Sequence, residues 1–528
     1  MLTDLVLFNG SIYTMDPARP RVSALAAHDG TIVYLGDDAT AREMALPYAE
    51  IVDLKGACAL PGLADAHLHL SSFAEALSRV DVETPTLEEA LRRVRERAMQ
   101  IPSGQWVLGR GWNHNVWGGQ FPTAAQLDRV VPDHPVFLGA KSGHAAWVNS
   151  RALAQAGITA ETPDPPGGQI VRHADGRPTG LLLESAMGLV WRVVPEISLD
   201  EMVSAMCYAI ELANRAGLTS VHDMDGPLAL RAEQVLCERG ELSLRILKSI
   251  PLEHLGEALA LGIRTGLGNE WLRLGQVKMF ADGALGPRTA WMLQGYETAP
   301  HDTGIPTTEI EVLRQAVHRA NAAGLGCAIH AIGDRACREV LNIYEEARER
   351  YPQCRNRIEH LQILHPSDWA RVGQLGVIGS MQPIHATSDM EISDRHLGNR
   401  AAGAYVFRAL RAHGAVLAFG SDCPVEAIDP LLGIHAAVTR RRRDGSPGPD
   451  GWHPEQRLTV TEAVHGFTWG AAYAAGWEKR LGTLELNKLA DITILDQDIW
   501  SIDPMAITQT RVLGTVVGGR FVWRDAAL

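Results

Sequence analysis

The stretch LPGLADAHLH at residues 60–69 constrains this chain most, because it predicts a buried strand that ends in two imidazoles. Side chains two residues apart point to the same face of a strand, so His67 and His69 can approach one metal ion while Leu68 packs away from it. The pattern His-X-His also arises by chance in strands that carry histidine. Further ligands must therefore come from other parts of the chain.

Four more polar side chains follow apolar runs later in the sequence. They are Lys278 in QVKMFADG, His330 in CAIHAIGD, His360 in RIEHL and Asp422 in LAFGSDCP. The ends of parallel strands in a barrel meet at one face, and barrel enzymes carry their chemistry at that face. The sequence therefore predicts a metal-dependent hydrolase whose ligands come from several strand ends.

Apolar, β-rich runs recur along the middle of the chain with helical stretches between them, which is typical of repeated βα units around a parallel sheet. Eight such units predict an α/β fold of the (β/α)₈ TIM-barrel type. The expected strands are residues 63–69, 218–222, 244–250, 275–281, 326–330, 357–361, 377–381 and 416–421. The first two strands are too far apart for one crossover, so residues from about 80 to 199 are expected to form an insertion on the catalytic face.

Both ends of the chain carry short apolar runs separated by turns. Asn9-Gly10 and Asp29-Gly30 are typical hairpin turns, and similar runs return near the C-terminus. We expect the two ends to complete one small β-sandwich domain. The expected organisation is a first sandwich part at 1–58, the barrel with its insertion at 59–478, and a second sandwich part at 479–528.

Composition limits the partners and the compartment. A formal charge of −13 over 528 residues argues against a nucleic-acid surface, and the arginine run at 440–443 is expected to be a solvated loop or helix end. Seven cysteines without a Cys-X-X-Cys pair indicate a reducing compartment, with the cytoplasm as the default. The sequence shows no leader and no membrane-spanning run, so no membrane partner is expected. Cys423 is expected to be a packed thiol rather than a nucleophile.

The insertion contains two segments rich in aromatic and amide groups, GRGWNHNVW at 109–117 and SGHAAWVNS at 142–150. Trp112, His114 and His144 in these segments are candidates for contact with a substrate. Aromatic side chains are also ordinary core residues, so core packing stays an open alternative for them.

With these residues in place, the chain resembles the amidohydrolase superfamily, and within it the long YtcJ-like branch that includes N-substituted formamide deformylases. The similarity runs nearly end to end. It rests on PGLADAHLH at 61–69, GWNHN at 111–115, KMFADGALGPRT at 278–289, IHAIGD at 329–334, RIEH at 357–360, GSDCPV at 420–425 and LGTLELNKLADI at 481–492. In the last segment the family commonly has glycine where this chain has Asn487, which lies in the expected sandwich.

The resemblance implies a metal site with one or two divalent ions per chain. His67 and His69 would hold a more buried ion, His330 and His360 a more exposed one, Lys278 would bridge the pair as a carbamate, and Asp422 would contact the buried ion and shuttle protons. An ammonium group cannot ligate a cation, so a lysine ligand requires such a modification. The alternative is an unmodified Lys278 that pairs with a carboxylate such as Asp282 beside a single ion. Histidine and carboxylate donors favour zinc, although iron, manganese and nickel accept the same donors.

The expected reaction is hydrolysis of an amide by a water molecule that the metal activates. Asp422 would take the proton of this water and pass it to the departing amine. His222 is a candidate to stabilise the oxyanion or to support the site, and a core histidine is the alternative. Arg288 would clamp a substrate carboxylate or pair with Asp282 or Asp302, and Asp282 is itself a candidate for substrate contact.

The expected substrate is a small non-peptide amide, with an N-formyl or N-acyl amine as the leading class. Two rivals stay open. A deaminase or chlorohydrolase of the purine or triazine type shares the barrel but uses one metal and lacks the strand lysine Lys278. A non-catalytic relative typically loses ligands, whereas all six ligand positions are filled here. Assembly into a homo-oligomer is left open by the sequence.

Overall fold

A computed structural model describes residues 3–114, 116–141 and 145–528 of the chain. The chain divides into two compact units, one formed by Met1–Phe73 with Met206–Leu528 and the other by Ala74–Ala205. The strands are β1 Thr3–Phe8, β2 Ser11–Tyr13, β3 Arg21–Val22, β4 Ala24–His28, β5 Thr31–Gly36, β6 Ala45–Asp53, β7 Cys58–Pro61, β8 Leu63–Leu68, β9 Val80–Asp81, β10 Val107–Trp112, β11 Val136–Ala140, β12 Ala145–Val148, β13 Gly168–Arg172, β14 Pro178–Glu184, β15 Leu218–Asp223, β16 Arg245–Pro251, β17 Leu272–Phe280, β18 Cys327–Ala331, β19 Arg357–His360, β20 Ile378–Met381, β21 Leu417–Phe419, β22 Ile492–Leu495, β23 Val512–Val517 and β24 Arg520–Arg524.

Helices fill most of the connections between these strands. The α-helices are α1 Asp38–Glu43, α2 Leu70–Ser78, α3 Leu87–Ala98, α4 Ala124–Val130, α5 Ser150–Gln155, α6 Met187–Trp191, α7 Leu199–Arg215, α8 Pro227–Glu238, α9 Leu255–Ala260, α10 Ile310–Ala322, α11 Asp334–Arg350, α12 Trp369–Gln374, α13 Pro383–Ser388, α14 Met390–Leu397, α15 Phe407–Ala412, α16 Pro430–Thr439, α17 Val460–His465 and α18 Ala471–Ala474. Among the described residues, none of these helices combines the length and the apolar character needed to span a membrane.

The larger unit contains the barrel. Within the described residues its sheet has eight strands in the order β21-β20-β19-β18-β17-β16-β15-β8, and each neighbouring pair is parallel. At the ends of the two outermost strands, Asp422 N donates to His67 O at 2.7 Å and His69 N donates to Cys423 O at 2.8 Å. These bonds join the first strand to the last. The prediction of a (β/α)₈ barrel is confirmed, and each expected strand overlaps an observed one.

The same unit contains two further sheets built from both ends of the chain. One has the order β5-β4-β1-β6, and the other has the order β24-β23-β22-β7-β2-β3. A common apolar core includes Leu5 and Leu25 from the first sheet and Ile12, Ile492 and Val516 from the second. This arrangement is the expected β-sandwich. The expected boundary after residue 58 falls inside strand β7. This strand belongs to the sandwich, so the first sandwich part extends to residue 61.

Only one of the two expected hairpins in the sandwich forms. Asp29 and Gly30 both have positive φ angles, of 47° and 71°, and join β4 to β5 as an antiparallel hairpin. Asn9-Gly10 connects β1 to β2, but these strands belong to different sheets. The hairpin prediction at Asn9 is therefore wrong, because the chain turns there from one layer of the sandwich into the other.

The smaller unit, Ala74–Ala205, contains a sheet in the order β13-β14-β12-β11-β10-β9. Its apolar core includes Trp112, Trp147, Val136 and Leu181, all nearly inaccessible to solvent. The insertion expected at about residues 80–199 lies within this unit. Its expected role on the catalytic face stays a prediction.

The first residue of the arginine run at 440–443 is not solvated, contrary to the prediction. Arg440 is fully buried, and its guanidinium carbon lies 5.3 Å from the ring centroid of Phe407 and 4.8 Å from that of Trp452. Arg442 pairs with Glu391 near the surface, as the solvated interpretation predicts. Arg440 instead stabilises the packing after helix α16 through cation–π contacts.

Candidate metal centre

The predicted ligands lie at one end of the barrel, where its strands finish. They are His67 near the end of β8, His69 directly after β8, Lys278 near the end of β17, His330 within β18, His360 as the last residue of β19, and Asp422 three residues after β21. The parallel register of these strands brings the side chains together from distant parts of the sequence.

Three of these side chains share one centre. The Nε2 atoms of His67 and His69 lie 3.6 Å and 3.4 Å from Oδ1 of Asp422. The ring centroid of His360 lies 4.7 Å from that of His67 and 4.5 Å from that of His330. The histidines therefore form a continuous cluster around the carboxylate of Asp422.

Each of the four predicted histidine ligands has one ring nitrogen that faces a carboxylate, amide or backbone carbonyl oxygen. The contacts are His67 Nδ1 with Glu359 Oε2 at 2.5 Å, His69 Nδ1 with Asp225 Oδ1 at 2.9 Å, His360 Nδ1 with Gln382 Oε1 at 2.9 Å, and His330 Nε2 with Gly283 O at 2.9 Å. The nitrogen that meets the oxygen carries the proton, so a neutral ring keeps its lone pair on the other nitrogen. Such contacts are typical of histidines that bind metals.

The contact of His67 belongs to a buried ionic network. Glu359 is fully buried and forms an ion pair with Arg357, which donates to both carboxylate oxygens. Arg357 also donates to Ser380 Oγ at 2.5 Å. A buried charge requires such pairing, since desolvating an unpaired ion costs several kcal/mol. The network therefore fixes Glu359 as an anion beside His67.

Burial sets the protonation of most of the cluster. Desolvation, together with the charge of Lys278, holds the pKa of His67 well below its usual value and lowers the pKa of His330 to about 4. Desolvation and the neighbouring His330 lower the pKa of His360 in the same direction. These three imidazoles are neutral at pH 7, which is the form that binds a metal.

His69 behaves differently from its neighbours. Burial lowers its pKa, but hydrogen bonds to Asp225 and Asp422 outweigh burial and raise the pKa to about 9. Burial raises the pKa of Asp422, but the hydrogen bond from His69 and electrostatic interactions with His67 and His385 outweigh burial and lower the pKa to about 2. Asp422 is therefore ionised at pH 7 and can serve as an anionic ligand.

The chain around Asp422 is held against the first strand by a buried aspartate. Asp65 accepts hydrogen bonds from Ser421 N at 3.0 Å, from Ser421 Oγ at 2.5 Å and from His67 N at 3.0 Å. A side chain at Gly420 would place its Cβ 2.4 Å from Asp65 Oδ1, so this approach requires glycine. Asp422 itself has a φ angle of +61°, a strained conformation that the surrounding contacts must impose.

Lys278 lies inside the cluster of ligands, and it does not pair with Asp282. Burial lowers its pKa to about 8, against the attraction of Glu359 and Asp422. Its Nζ atom lies 4.9 Å from the ring centroid of Phe280. The alternative in which unmodified Lys278 pairs with Asp282 is not supported, because other groups hold that aspartate.

Asp282 is a structural group rather than a substrate contact. Its side chain is fully buried, and its oxygens accept hydrogen bonds from the backbone amides of Trp291, Ile332 and Gly333 at 2.8–3.0 Å. Burial raises its pKa to about 7. The carboxylate joins three loops at the barrel end, which corrects the prediction that it contacts substrate.

Two side chains that were predicted to be catalytic, those of His222 and Arg288, have contacts that do not match the predicted roles. His222 is buried, accepts a hydrogen bond from Arg357 at Nδ1 over 2.8 Å and bonds the backbone of Ala66. These contacts do not favour an oxyanion role, and they agree with both alternatives, support for the site and a core histidine. Arg288 is 42% exposed, has a φ angle of +58° and lies 3.6 Å from Asp302, so the ion-pair alternative describes this structure.

Three residues of the insertion were predicted to contact substrate, and two of them lie within the described residues. Trp112 is a core residue of the smaller unit, since it is buried and donates from Nε1 to Leu138 O at 2.8 Å. Substrate contact by Trp112 is therefore wrong. His114 stacks on Phe121 with ring centroids 4.1 Å apart, and its contact with substrate stays a prediction. His144 lies outside the described residues.

Several polar residues at the site were not predicted from the sequence. His385 in helix α13 places Nε2 at 3.9 Å from Asp422 Oδ2. Glu359 directly precedes His360, and Asp225 follows strand β15 by two residues. Polar groups just beyond strand ends mark the other ligands, and the same signal after β15 and β20 indicates Asp225 and His385.

The donor set fits a divalent ion of the zinc type. Two donor atoms bound to one tetrahedral ion at about 2.1 Å lie about 3.4 Å apart. The observed spacings from Asp422 Oδ1 to His67 and His69 match this value, at 3.6 Å and 3.4 Å. Among the described residues, His67 Nε2 is buried and has no hydrogen-bond partner. A metal ion would satisfy this nitrogen.

A parallel barrel that gathers histidines and an aspartate at its strand ends defines a metal-dependent hydrolase fold. The model of the amidohydrolase family matches residues 50–523. The chain belongs to the amidohydrolase family.

Relatives align over nearly the whole chain. The protein LONG AFTER FAR-RED 3 of Arabidopsis thaliana is 35% identical over 98% of this chain and 91% of its own length. The putative amidohydrolase YtcJ of Bacillus subtilis (strain 168) is 34% identical over 98% and 99%. The N-substituted formamide deformylase of Arthrobacter pascens is 30% identical over 98% of both chains.

A solved structure also resembles this chain. It is an uncharacterized metal-dependent hydrolase from Pyrococcus horikoshii OT3, with a TM-score of 0.78 and 30% identity over 95% of this chain and 99% of that one. The resemblance at this identity agrees with the family assignment and with the barrel described above.

Proposed function

We propose that the protein is a hydrolase that uses a divalent metal ion to cleave the carbon–nitrogen bond of a small non-peptide amide. One observation carries the proposal, namely the convergence of His67 Nε2 and His69 Nε2 on one carboxylate oxygen of Asp422. Imidazoles and an ionised carboxylate are ligands that suit zinc, and His69 would bind the ion after losing its proton.

The proposed ligand set follows the geometry and the family resemblance. His67, His69 and Asp422 would hold one ion, and His330 with His360 would hold a second. Lys278 would join the two as a carbamate, which forms when its neutral amine adds CO₂ and releases a proton. The lowered pKa of Lys278, about 8, makes this neutral form more accessible than in an exposed lysine.

When bound, the metal would lower the pKa of a water molecule towards neutrality and polarise a carbonyl oxygen. Asp422 would accept the proton of the attacking water at its carboxylate and deliver it to the nitrogen of the departing amine. The products are a carboxylic acid, which gains the OH of the water, and an amine, which gains the remaining hydrogen. Glu359 and Asp225 would keep His67 and His69 oriented during this proton transfer.

The substrate class is proposed as an N-formyl or N-acyl amine. One relative is named as a deformylase of N-substituted formamides, which is the source of this choice. Lys278 argues against the single-metal deaminase or chlorohydrolase alternative. We also propose a reducing compartment such as the cytoplasm, because the seven cysteines are free thiols.

The test is an assay for released amine with the zinc-loaded and the manganese-loaded full-length protein. Suitable probes are the formamides and acetamides of butylamine and of 2-phenylethylamine. We expect release of amine by the wild type, loss of release in Asp422→Asn, and unchanged release in His413→Asn, since His413 is exposed on another element. If no amide is cleaved while an aminopurine or aminotriazine yields ammonia, the deaminase alternative is correct.

A further inference from the structure

His385 lies beside the cluster of ligands but differs from them in its surroundings. It belongs to helix α13, which follows barrel strand β20, and it is 7% exposed. Its ring is nearly parallel to that of His360, with centroids 6.3 Å apart and an interplanar angle of 10°. Among the described residues, its Nε2 atom is buried and has no hydrogen-bond partner.

Two glutamines contact the Nδ1 atoms of these parallel histidines in opposite ways. Gln382 presents its oxygen to His360 at 2.9 Å, so the proton of His360 is on Nδ1. Nε2 of Gln362 lies 3.5 Å from Nδ1 of His385, a long contact in which Nδ1 accepts when the ring carries its proton on Nε2. A neutral ring with an accepting Nδ1 carries its proton on Nε2. In this tautomer His385 directs an N–H into the site, where His360 directs a lone pair.

His360, His385 and Asp422 lie close enough together to hold a metal ion, but the spacing of His385 from Asp422 is longer than that of the proposed ligands. Its Nε2 atom lies 3.9 Å from Asp422 Oδ2, whereas the proposed ligands His67 and His69 lie 3.6 Å and 3.4 Å from Oδ1. Two donors on one tetrahedral ion lie about 3.4 Å apart. A distance of 3.9 Å is also too long for a hydrogen bond to Asp422. The N–H of His385 is therefore free for another acceptor close to the proposed proton shuttle.

We propose that His385 is a catalytic residue that donates a hydrogen bond from Nε2 to the carbonyl oxygen of the amide substrate. This inference rests on the proposed function. The oxygen gains negative charge when water attacks the carbonyl carbon, and a fixed donor stabilises that charge more strongly in the transition state than in the ground state. Gln362 would act as a positioning residue, because its amide group selects the ring tautomer that has the proton on Nε2.

The kinetic test compares His385→Ala and His385→Gln with the wild type and with His413→Asn. The probe is whichever of the four amides named above the wild type cleaves fastest. Loss of one such donor typically lowers kcat by about 10²–10³-fold. We expect that loss in His385→Ala with little change in KM, partial recovery in His385→Gln because its amide can donate, and unchanged zinc content in both. A variant that loses a zinc ion together with activity would show that His385 is a ligand and overturn the proposal.

A second measurement works without turnover. Nitrogen-15 NMR of zinc-loaded, full-length protein labelled at histidine reports which ring nitrogen carries the proton, and His385→Gln assigns the signal by its absence. We expect the proton of His385 on Nε2. A proton on Nδ1 with Nε2 bound to zinc would overturn the proposal. If no amide is cleaved, the proposed function fails, but this spectrum still decides between donor and ligand.

Discussion

The two histidines of the His-X-His motif lie in opposite surroundings although one residue separates them. The side chain of His67 is 1% exposed and contacts the fully buried Glu359, whereas that of His69 is 29% exposed and contacts Asp225. The pKa of His67 is held well below its usual value by burial and by Lys278. Burial also lowers the pKa of His69, but its two carboxylate partners raise it to about 9.

This difference shows that equal spacing in a strand does not give equal chemistry. His67 keeps a neutral ring with its lone pair towards Asp422, so it can bind a metal without losing a proton. His69 holds a proton between Asp225 and Asp422 at pH 7, and a metal must displace that proton. Glu359 is accordingly expected to matter more for the metal site than Asp225.

The largest effect is expected for Glu359→Gln. The change leaves the buried Arg357 without its carboxylate, which typically destabilises a protein by about 3–5 kcal/mol. It also removes the anion from His67, and loss of such a partner typically lowers metal affinity about 10–100-fold. Zinc affinity can be measured by competition with a chelator, and stability by the midpoint of urea unfolding.

Asp491→Asn is the matched control for Glu359→Gln. Asp491 directly precedes sandwich strand β22 and forms an ion pair at 2.7 Å with the buried Arg245, the first residue of barrel strand β16 in the same unit. We expect a comparable loss of stability, because a buried arginine again loses its carboxylate, and unchanged zinc affinity. A similar fall in zinc affinity in both variants would attribute the effect of Glu359 to general destabilisation.

Asp225→Asn is expected to have a smaller effect than Glu359→Gln. Asparagine keeps one acceptor oxygen, the nearby Lys248 stays paired with Asp223 at 2.7 Å, and the protonated His69 keeps Asp422 as an anionic partner. Zinc affinity should fall by about tenfold, at the low end for such contacts. A larger loss of affinity in Asp225→Asn than in Glu359→Gln would reverse the comparison.

The smallest effect is expected for Cys423→Ala. The thiol adjoins Asp422 but is buried, and burial raises its pKa, so the thiolate is rare at pH 7. We expect unchanged zinc content and a turnover rate on the amide probe within about twofold of the wild type, because alanine removes only a packed side chain. A variant that keeps its zinc but loses nearly all amide cleavage would indicate that Cys423 is a nucleophile after all.

The barrel was predictable because its strands repeat one local pattern, an apolar run that ends in polar side chains. The expected ends of the strand at 357–361 and of the observed β19, Arg357–His360, differ by one residue. The sandwich was less predictable. Asn9-Gly10 is typical of a hairpin turn in isolation, and only the packing of two layers decides that β1 and β2 join different sheets.

The candidate site was predictable only where a ligand sits at a strand end in a distinctive motif. Glu359 and Asp225 act through contacts with residues 292 and 156 positions away, and no local pattern contains these contacts. Asp282 and Trp112 occur in motifs that suggested substrate contact, but backbone hydrogen bonds occupy their polar atoms. Tertiary packing, not sequence spacing, decides whether such a polar atom faces the site.

The most direct test of the account is the metal content of full-length protein purified without chelators, compared with that of a His67→Asn, His69→Asn double variant. Elemental analysis should find one or two divalent ions per wild-type chain and a loss of at least one ion in the double variant. A wild-type protein that holds no divalent metal, even after incubation with zinc, manganese or iron(II), would contradict the account.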